Sequence, residues 1–186
     1  ATQLYVDRRD SPEKKQFGFD TLAKIRTYAA LAEASLKTSN DIYITEVNWP
    51  LSNMAPWAPA KTYLIEESLQ SSYLVRYYLL MLASGRIRKC YWHQLIAPGY
   101  GLVNNLDGKI IKRDAYYCFK HLIKLFSDGI TKKLIRERNL FCFIIEKDET
   151  FIEAIWTIGE NAILKCNPNQ IIYDIRGKLI DTKSSP

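Results

Sequence analysis

Three short apolar runs constrain this chain more than any other feature. They are QLYVD (3–7), IYITEVNW (42–49) and RKCYWHQL (88–95). Between them lie two stretches with helical period, from Asp20 to about Lys37 and from about Ile65 to Ser84. A third helical stretch, from about Asp114 to Phe126, follows the last run. In the first, Leu22, Ile25, Tyr28, Ala29, Leu31 and Ala32 keep the period, and Asp20 is the N-cap candidate. In the second, Glu66 and Glu67 sit in the first turn, where the helix dipole favours acids, and Gly85 closes the helix. A strand followed by a helix and another strand suits a crossover between parallel neighbours. The pattern therefore predicts a β-α-β-α-β-α order and a parallel sheet.

The texture changes after SDGITKK (127–133). Short alternating runs follow over 140–146, 151–159, 162–166 and 170–175. Asp148-Glu149, Gly159, Asn167-Pro168-Asn169 and Arg176-Gly177 separate them, and no helical stretch intervenes. That reads as a small antiparallel β unit, half a sandwich or a docked sheet. The expected division is an α/β portion over 1–129 and a small β domain over 130–186. Within the first portion, PLSNMAPWAPA (50–60) holds three prolines and is a long loop, of the kind that commonly carries function. Asp107-Gly108 marks a hairpin.

Composition narrows the function classes. With 47% hydrophobic residues in 186, the chain can bury a core. The net charge is +6, but its basic residues are dispersed, and the densest patch is only GRIRKC (85–90). That is too short for a nucleic-acid footprint, so no nucleic-acid partner is expected. No apolar run reaches the roughly 18 residues of a membrane span. The cysteines at 90, 118, 142 and 166 are evenly dispersed and read as reduced thiols, which leans toward the cytoplasm. The opening ATQLYVDRRD has neither a signal-peptide layout nor an initiating Met, so the chain is expected to begin within something larger. Cys90 with His93, and Cys118 with His121, have a C-x-x-H spacing. Strand residues three apart point to opposite faces, which disfavours a shared zinc at the first pair. No metal and no cofactor is expected.

The polar and aromatic groups collect at the carboxyl ends of the three runs, where parallel α/β architectures bind ligands. The first run brings Tyr5 and Asp7, with Arg8 and Arg9; the second Glu46, Asn48 and Trp49; the third Trp92, His93 and Gln94, then Tyr100. Glu46 is the informative one, because the run before it is apolar and Val, Asn and Trp follow. An acid in that setting is a functional candidate as much as a salt-bridged loop residue. For Trp49 and Trp92, core packing and ligand stacking are equally open.

Taken together, IYITEVNWP and CYWHQLIAPGYGLVNNLDGKIIKRDAYYCFKHL resemble the C-terminal half of clan A retaining glycoside hydrolases. The resemblance implies a fold class of α/β: a partial (β/α)8 TIM barrel of three βα units, strands six to eight, followed by a small antiparallel β-sandwich-like domain. It implies that Glu46 stands in the nucleophile position and that Tyr5 hydrogen-bonds it. It implies further that Trp92 floors the sugar site, with Trp49, Asn48, His93, Gln94 and Tyr100 as further substrate contacts. Gln3 stands where such enzymes often carry a His, and the acid/base Glu of the fourth strand has no counterpart. An eight-stranded barrel needs at least ~200 residues, so the remaining strands are expected upstream. The implied partners are an oligosaccharide or glycoconjugate substrate and either the N-terminal part of the barrel or further copies pairing through open strand edges. The competing expectation is a non-catalytic carbohydrate-binding or scaffolding protein derived from a glycosidase.

Overall fold

A computed structural model describes residues 1–6, 10–35, 39–58 and 61–181. Asp7, Arg8 and Arg9, and the expected helix end at Lys37, lie outside the described residues. The chain is mixed α/β and divides into two compact units, Ala1–Tyr116 and Tyr117–Pro186.

The first unit holds a three-stranded parallel sheet in the order β1 (Thr2–Gln3), β2 (Ile42–Val47), β3 (Ile87–Trp92). Between the strands run α1 (Thr21–Ala34) and α2 (Glu67–Ser84). The ladder pairs Thr2 with Ile44, Gln3 with Glu46, Ile42 with Ile87 and Val47 with Trp92. β2 is central, and Ile42, Ile44 and Val47 are buried along it. Ladder pairing in β1 stops at Gln3, but the chain beyond it stays packed, with Leu4 and Val6 buried. β3 ends at Trp92, so His93 and Gln94 lie past the strand rather than in it.

Each helix follows from its local chemistry. The Asp20 side chain accepts from the Ala23 amide at 2.8 Å and caps α1. The buried stripe of α1 is Thr21, Ile25 and Ala29, an i, i+4, i+8 row. Leu31 falls off that row and is 63% exposed, against the expectation from its period. In α2 nine residues are buried, Gln70, Tyr73, Leu74, Tyr77 and Leu80 among them, on more than one side of the helix. Gly85 ends it with φ 60°, a left-handed conformation that glycine takes without strain.

A buried ion pair fastens the segment between β1 and α1 to α2. The Arg76 guanidinium donates through Nε to Glu13 Oε1 at 2.8 Å and through a second nitrogen to Oε2. Glu13 is only 2% exposed at its side chain, and the pair is bidentate. The Thr21 hydroxyl donates to the Pro12 carbonyl nearby. After β3, the short strands β4 (Val103–Asn104) and β5 (Ile111–Lys112) pair antiparallel around Asp107-Gly108, as the hairpin signal predicts.

α3 (Asp114–Phe126) spans the division between the units, and most of it belongs to the second. That unit holds an antiparallel sheet in the order β6 (Ile130–Glu137), β7 (Leu140–Lys147), β8 (Thr150–Thr157). Every other residue of β7 is buried, with Phe141, Phe143 and Ile145 on the inner face, and Phe126 stacks on Phe143 at 6.1 Å. β6 is a strand where the sequence reading has a turn and a change of texture. Its residues are largely exposed and polar, so it carries no alternation, and it forms because β7 gives its backbone a partner. The opposite error concerns 162–166 and 170–175. These runs are not strands: among the described residues after Thr157 the one β-bridge joins Tyr173 and Leu179, in a short turn closed by the Ile180 amide on the Ile172 carbonyl at 2.8 Å. Ile163 is 98% exposed and Ile171 71%, so their apolar alternation has no sheet to pack on. A β-sandwich is therefore not what the described residues form.

Removing one partner of a buried ion pair leaves the other charge uncompensated. Glu13→Ala is expected to cost about 3 kcal/mol, on the order of such losses. Urea unfolding of the variant against wild type measures it.

Candidate functional site

The site is built on the end of β2. Glu46 is the second-last residue of that strand, half-buried, and both of its carboxylate oxygens are held by the N-terminal segment of the same chain. The Tyr5 hydroxyl donates to Oε1. Gln3 Nε2 donates to Oε2 at 2.9 Å. Gln3 faces Glu46 in the parallel register, and Tyr5 comes two residues later, just past the end of β1. The backbone around them is pinned. Thr45 Oγ1 donates to the Thr2 carbonyl at 3.1 Å, and the buried Tyr77 hydroxyl donates to the Leu4 carbonyl at 2.7 Å. Lys24 Nζ reaches the Tyr5 carbonyl at 3.5 Å and Gln16 Oε1 at 2.7 Å.

Beyond Glu46 the chain turns inward. Asn48 is 2% exposed and donates through Nδ2 to the His93 carbonyl, while its Oδ1 is buried without a partner. Trp49 is 1% exposed. It packs edge-on against Tyr73 and Tyr77, at 5.6 and 5.7 Å, and stacks on Trp92 at 6.1 Å. Its indole Nε1 donates to the Asp10 carbonyl at 3.2 Å. Trp49 is thus core, and it offers no face to a ligand in this structure; of the two readings open for it, packing describes what is seen. Trp92 stands in register with Val47, is half-buried, and keeps a buried indole N–H without a partner.

His93 donates its backbone N–H to the Val47 carbonyl at 3.0 Å and stacks on the Tyr100 ring at 5.6 Å. The His93–Gln94 peptide is cis, and Gln94 is exposed. The loops after β2 and β3 are locked together. Buried Gln70 on α2 donates to the Trp49 carbonyl at 2.8 Å and to the Tyr100 carbonyl at 3.2 Å. The Leu51 amide donates to the Gly99 carbonyl at 2.9 Å. A Cβ on Gly99 would lie 2.3 Å from the Trp57 carbonyl oxygen, so only glycine allows this approach. Arg113, itself buried, donates to Glu67 at 3.0 Å and to the Pro98 carbonyl, closing the same loop from the far side.

The structure thus brings together Tyr5 with Glu46, Asn48 with His93, Trp49 with Trp92, and His93 with Tyr100. Two residues that matter locally were not among the candidates. Gln3 had a signal, its i, i+2 spacing from Tyr5. Gln70 had none, because a buried amide on a helix looks like any solvated one in sequence.

Burial pushes the Cys90 thiol up to about 12, and a hydrogen bond with the Tyr78 side chain opposes that only in part. Burial also raises the Tyr77 and Tyr78 phenols. Among the described residues no cluster of three or more His, Cys, Asp or Glu is placed to hold a metal. No helix among them is long and apolar enough to cross a membrane. In the second unit a depression of about 380 Å³ is lined by Tyr117, Asp174, Arg176, Gly177 and Lys178. Its carboxylate is already engaged: Asp174 Oδ1 accepts from the Arg176 and Lys178 amides, both at 2.9 Å.

The raised Cys90 thiol has a pH consequence. Its folded value lies above the ordinary 9.0, so its contribution to stability is complete below pH 9 and is lost as pH rises toward about 12. The stability advantage of wild type over Cys90→Ala is expected to shrink between pH 8 and about 11, read as urea midpoints. At pH 8, Ellman's reagent is expected to titrate exposed Cys166 readily, and Cys90 and buried Cys118 only after unfolding.

No family model and no curated protein matches this sequence. Among solved structures, the chain is similar to a family 39 glycoside hydrolase from the gut symbiont Bacteroides cellulosilyticus WH2. Identity is 15% and the TM-score 0.63, over 83% of this chain and 33% of that one. The chain spans about a third of the length of that hydrolase, and the likeness is one of fold.

Proposed function

We propose that this chain is the nucleophile-bearing part of a retaining glycoside hydrolase, with Glu46 as the attacking carboxylate. The observation that carries the reading is the geometry of Glu46. It stands one residue before the end of the central strand of a parallel sheet, and two donors, Gln3 on the adjacent strand and Tyr5 just past it, hold both oxygens. The similarity in fold to a family 39 glycoside hydrolase supports it.

In a retaining mechanism two carboxyls stand ~5–5.5 Å apart across the scissile bond. Glu46 attacks the anomeric carbon as the C–O bond to the leaving group breaks, giving a glycosyl ester of Glu46. A second carboxyl protonates the leaving oxygen, then takes a proton from the water that releases the sugar. Glu46 must enter as a carboxylate, and both of its partners are donors, which suits an acceptor-only group. Trp92 supplies an apolar ring face for the sugar, with His93, Gln94 and Tyr100 at the rim and Asn48 beneath. The acid/base carboxyl comes, in this reading, from outside the chain. The same holds for the strands that would flank β1 and β3 in a partial (β/α)8 barrel.

The decisive experiment is Glu46→Gln in the full-length protein, assayed on activated aryl glycosides. Turnover is expected to fall about 10³-fold or more, and labelling by a 2-fluoro glycoside to disappear. Unchanged turnover sinks the nucleophile assignment. Glycan binding without hydrolysis in wild type, unaffected by Glu46→Gln, favours a non-catalytic binding protein instead.

The sheet edges yield a second expectation. Among the described residues β1 and β3 have one neighbour each, and open parallel edges invite pairing. This chain expressed alone is expected to self-associate, with a sedimentation coefficient that rises with concentration. A monodisperse monomer counts against the barrel reading.

A further inference from the structure

The Glu46 carboxylate is gripped at two points by one neighbouring segment. Tyr5 holds Oε1, and Gln3 holds Oε2 at 2.9 Å. A glutamate's last side-chain torsion is broad and nearly two-fold, so an unsupported carboxylate samples many planes. A pair of donors at i and i+2 removes that freedom. Each oxygen accepts one bond from the clamp and keeps lone-pair capacity for an electrophile.

Gln3 has the marks of a positioning group rather than a packing one. Its side chain is exposed, so its removal opens no cavity. Its backbone is fixed on both sides: Thr45 bonds the Thr2 carbonyl, and Tyr77 bonds the Leu4 carbonyl. Its register places it directly opposite Glu46. With both Cα positions set by the ladder, side-chain length alone decides whether the amide reaches the carboxylate. Asn is one methylene shorter and falls short.

We propose that Gln3 is a positioning residue that, together with Tyr5, sets the plane of the Glu46 carboxylate for attack. This rests on the reading of Glu46 as nucleophile. Preorganising a nucleophile acts on the chemical step more than on substrate binding.

The test uses the full-length protein and an activated aryl glycoside. Gln3→Leu and Gln3→Asn are expected to lower kcat roughly ten- to hundredfold, the scale of a misplaced reacting group. KM should stay within about twofold and Tm within about 2 °C. Gln3→His keeps an N–H donor at comparable reach and is expected to recover most of kcat. Wild-type kcat in Gln3→Leu and Gln3→Asn overturns the proposal. So does a loss of kcat that tracks a fall in Tm and that Gln3→His does not rescue. A direct readout separates the clamp from the chemistry. In protein labelled with ¹⁵N-glutamine, the Gln3 side-chain amide proton is expected to move upfield by tenths of a ppm on Glu46→Ala, as a charge-assisted bond is lost. If wild type has no turnover, the glycosidase reading fails on its own, and an unmoved amide signal still overturns the clamp.

Discussion

The parallel ladder of β2 with its two neighbours is the constraint on which the first unit depends. It places Gln3 beside Glu46 and Trp92 beside Val47. Everything at the site is then a matter of what those pairings bring within reach. The interior of β2 is apolar, and its last turnable position carries the acid. The strand buries Ile42, Ile44 and Val47 while its acid finds donors at the rim, from Gln3 on β1 and Tyr5 just beyond it. Packing of the strand and preparation of the carboxylate are therefore the same arrangement.

The second support is α2. It crosses beneath the site and fastens three separate segments. Arg76 holds Glu13, Tyr77 holds the Leu4 carbonyl, and Gln70 holds the carbonyls of Trp49 and Tyr100. These anchors go mostly to backbone carbonyls, which fixes the path of the loops without committing their side chains. The rim residues Trp92, His93, Gln94 and Tyr100 remain at the surface or half-buried.

Much of this was legible in the sequence, and the misses have physical causes. The three strands and two intervening helices were readable because apolar runs and helical periods are local signals. The Asp20 cap, the Gly85 stop and the Asp107-Gly108 hairpin are local too. Trp49 was not decidable, because its burial depends on Tyr73 and Tyr77, which are distant in sequence and arrive on α2. β6 was missed because its side chains are polar, and only pairing with β7 makes it a strand. The runs 162–166 and 170–175 were over-read for the converse reason. Alternation prepares a segment for a sheet, but hydrogen-bond partners must be present for it to join one. At the site, the Tyr5–Glu46 contact came through the resemblance, while the Gln3 bond needed the register that only the structure supplies.

The two sheets also differ in how far along the chain their partners lie. In the parallel sheet, paired strands are separated by about forty residues, each gap holding a whole helix. In the antiparallel sheet, β6 meets β7 across Arg138 and Asn139, and β7 meets β8 across Asp148 and Glu149. Loop-closure entropy favours the near pairings and delays the distant ones. The hairpins can thus form as soon as their residues are available. The pairing that carries Glu46 has to close across the whole of α1, so the grip on the carboxylate carries a larger loop-closure cost than either hairpin.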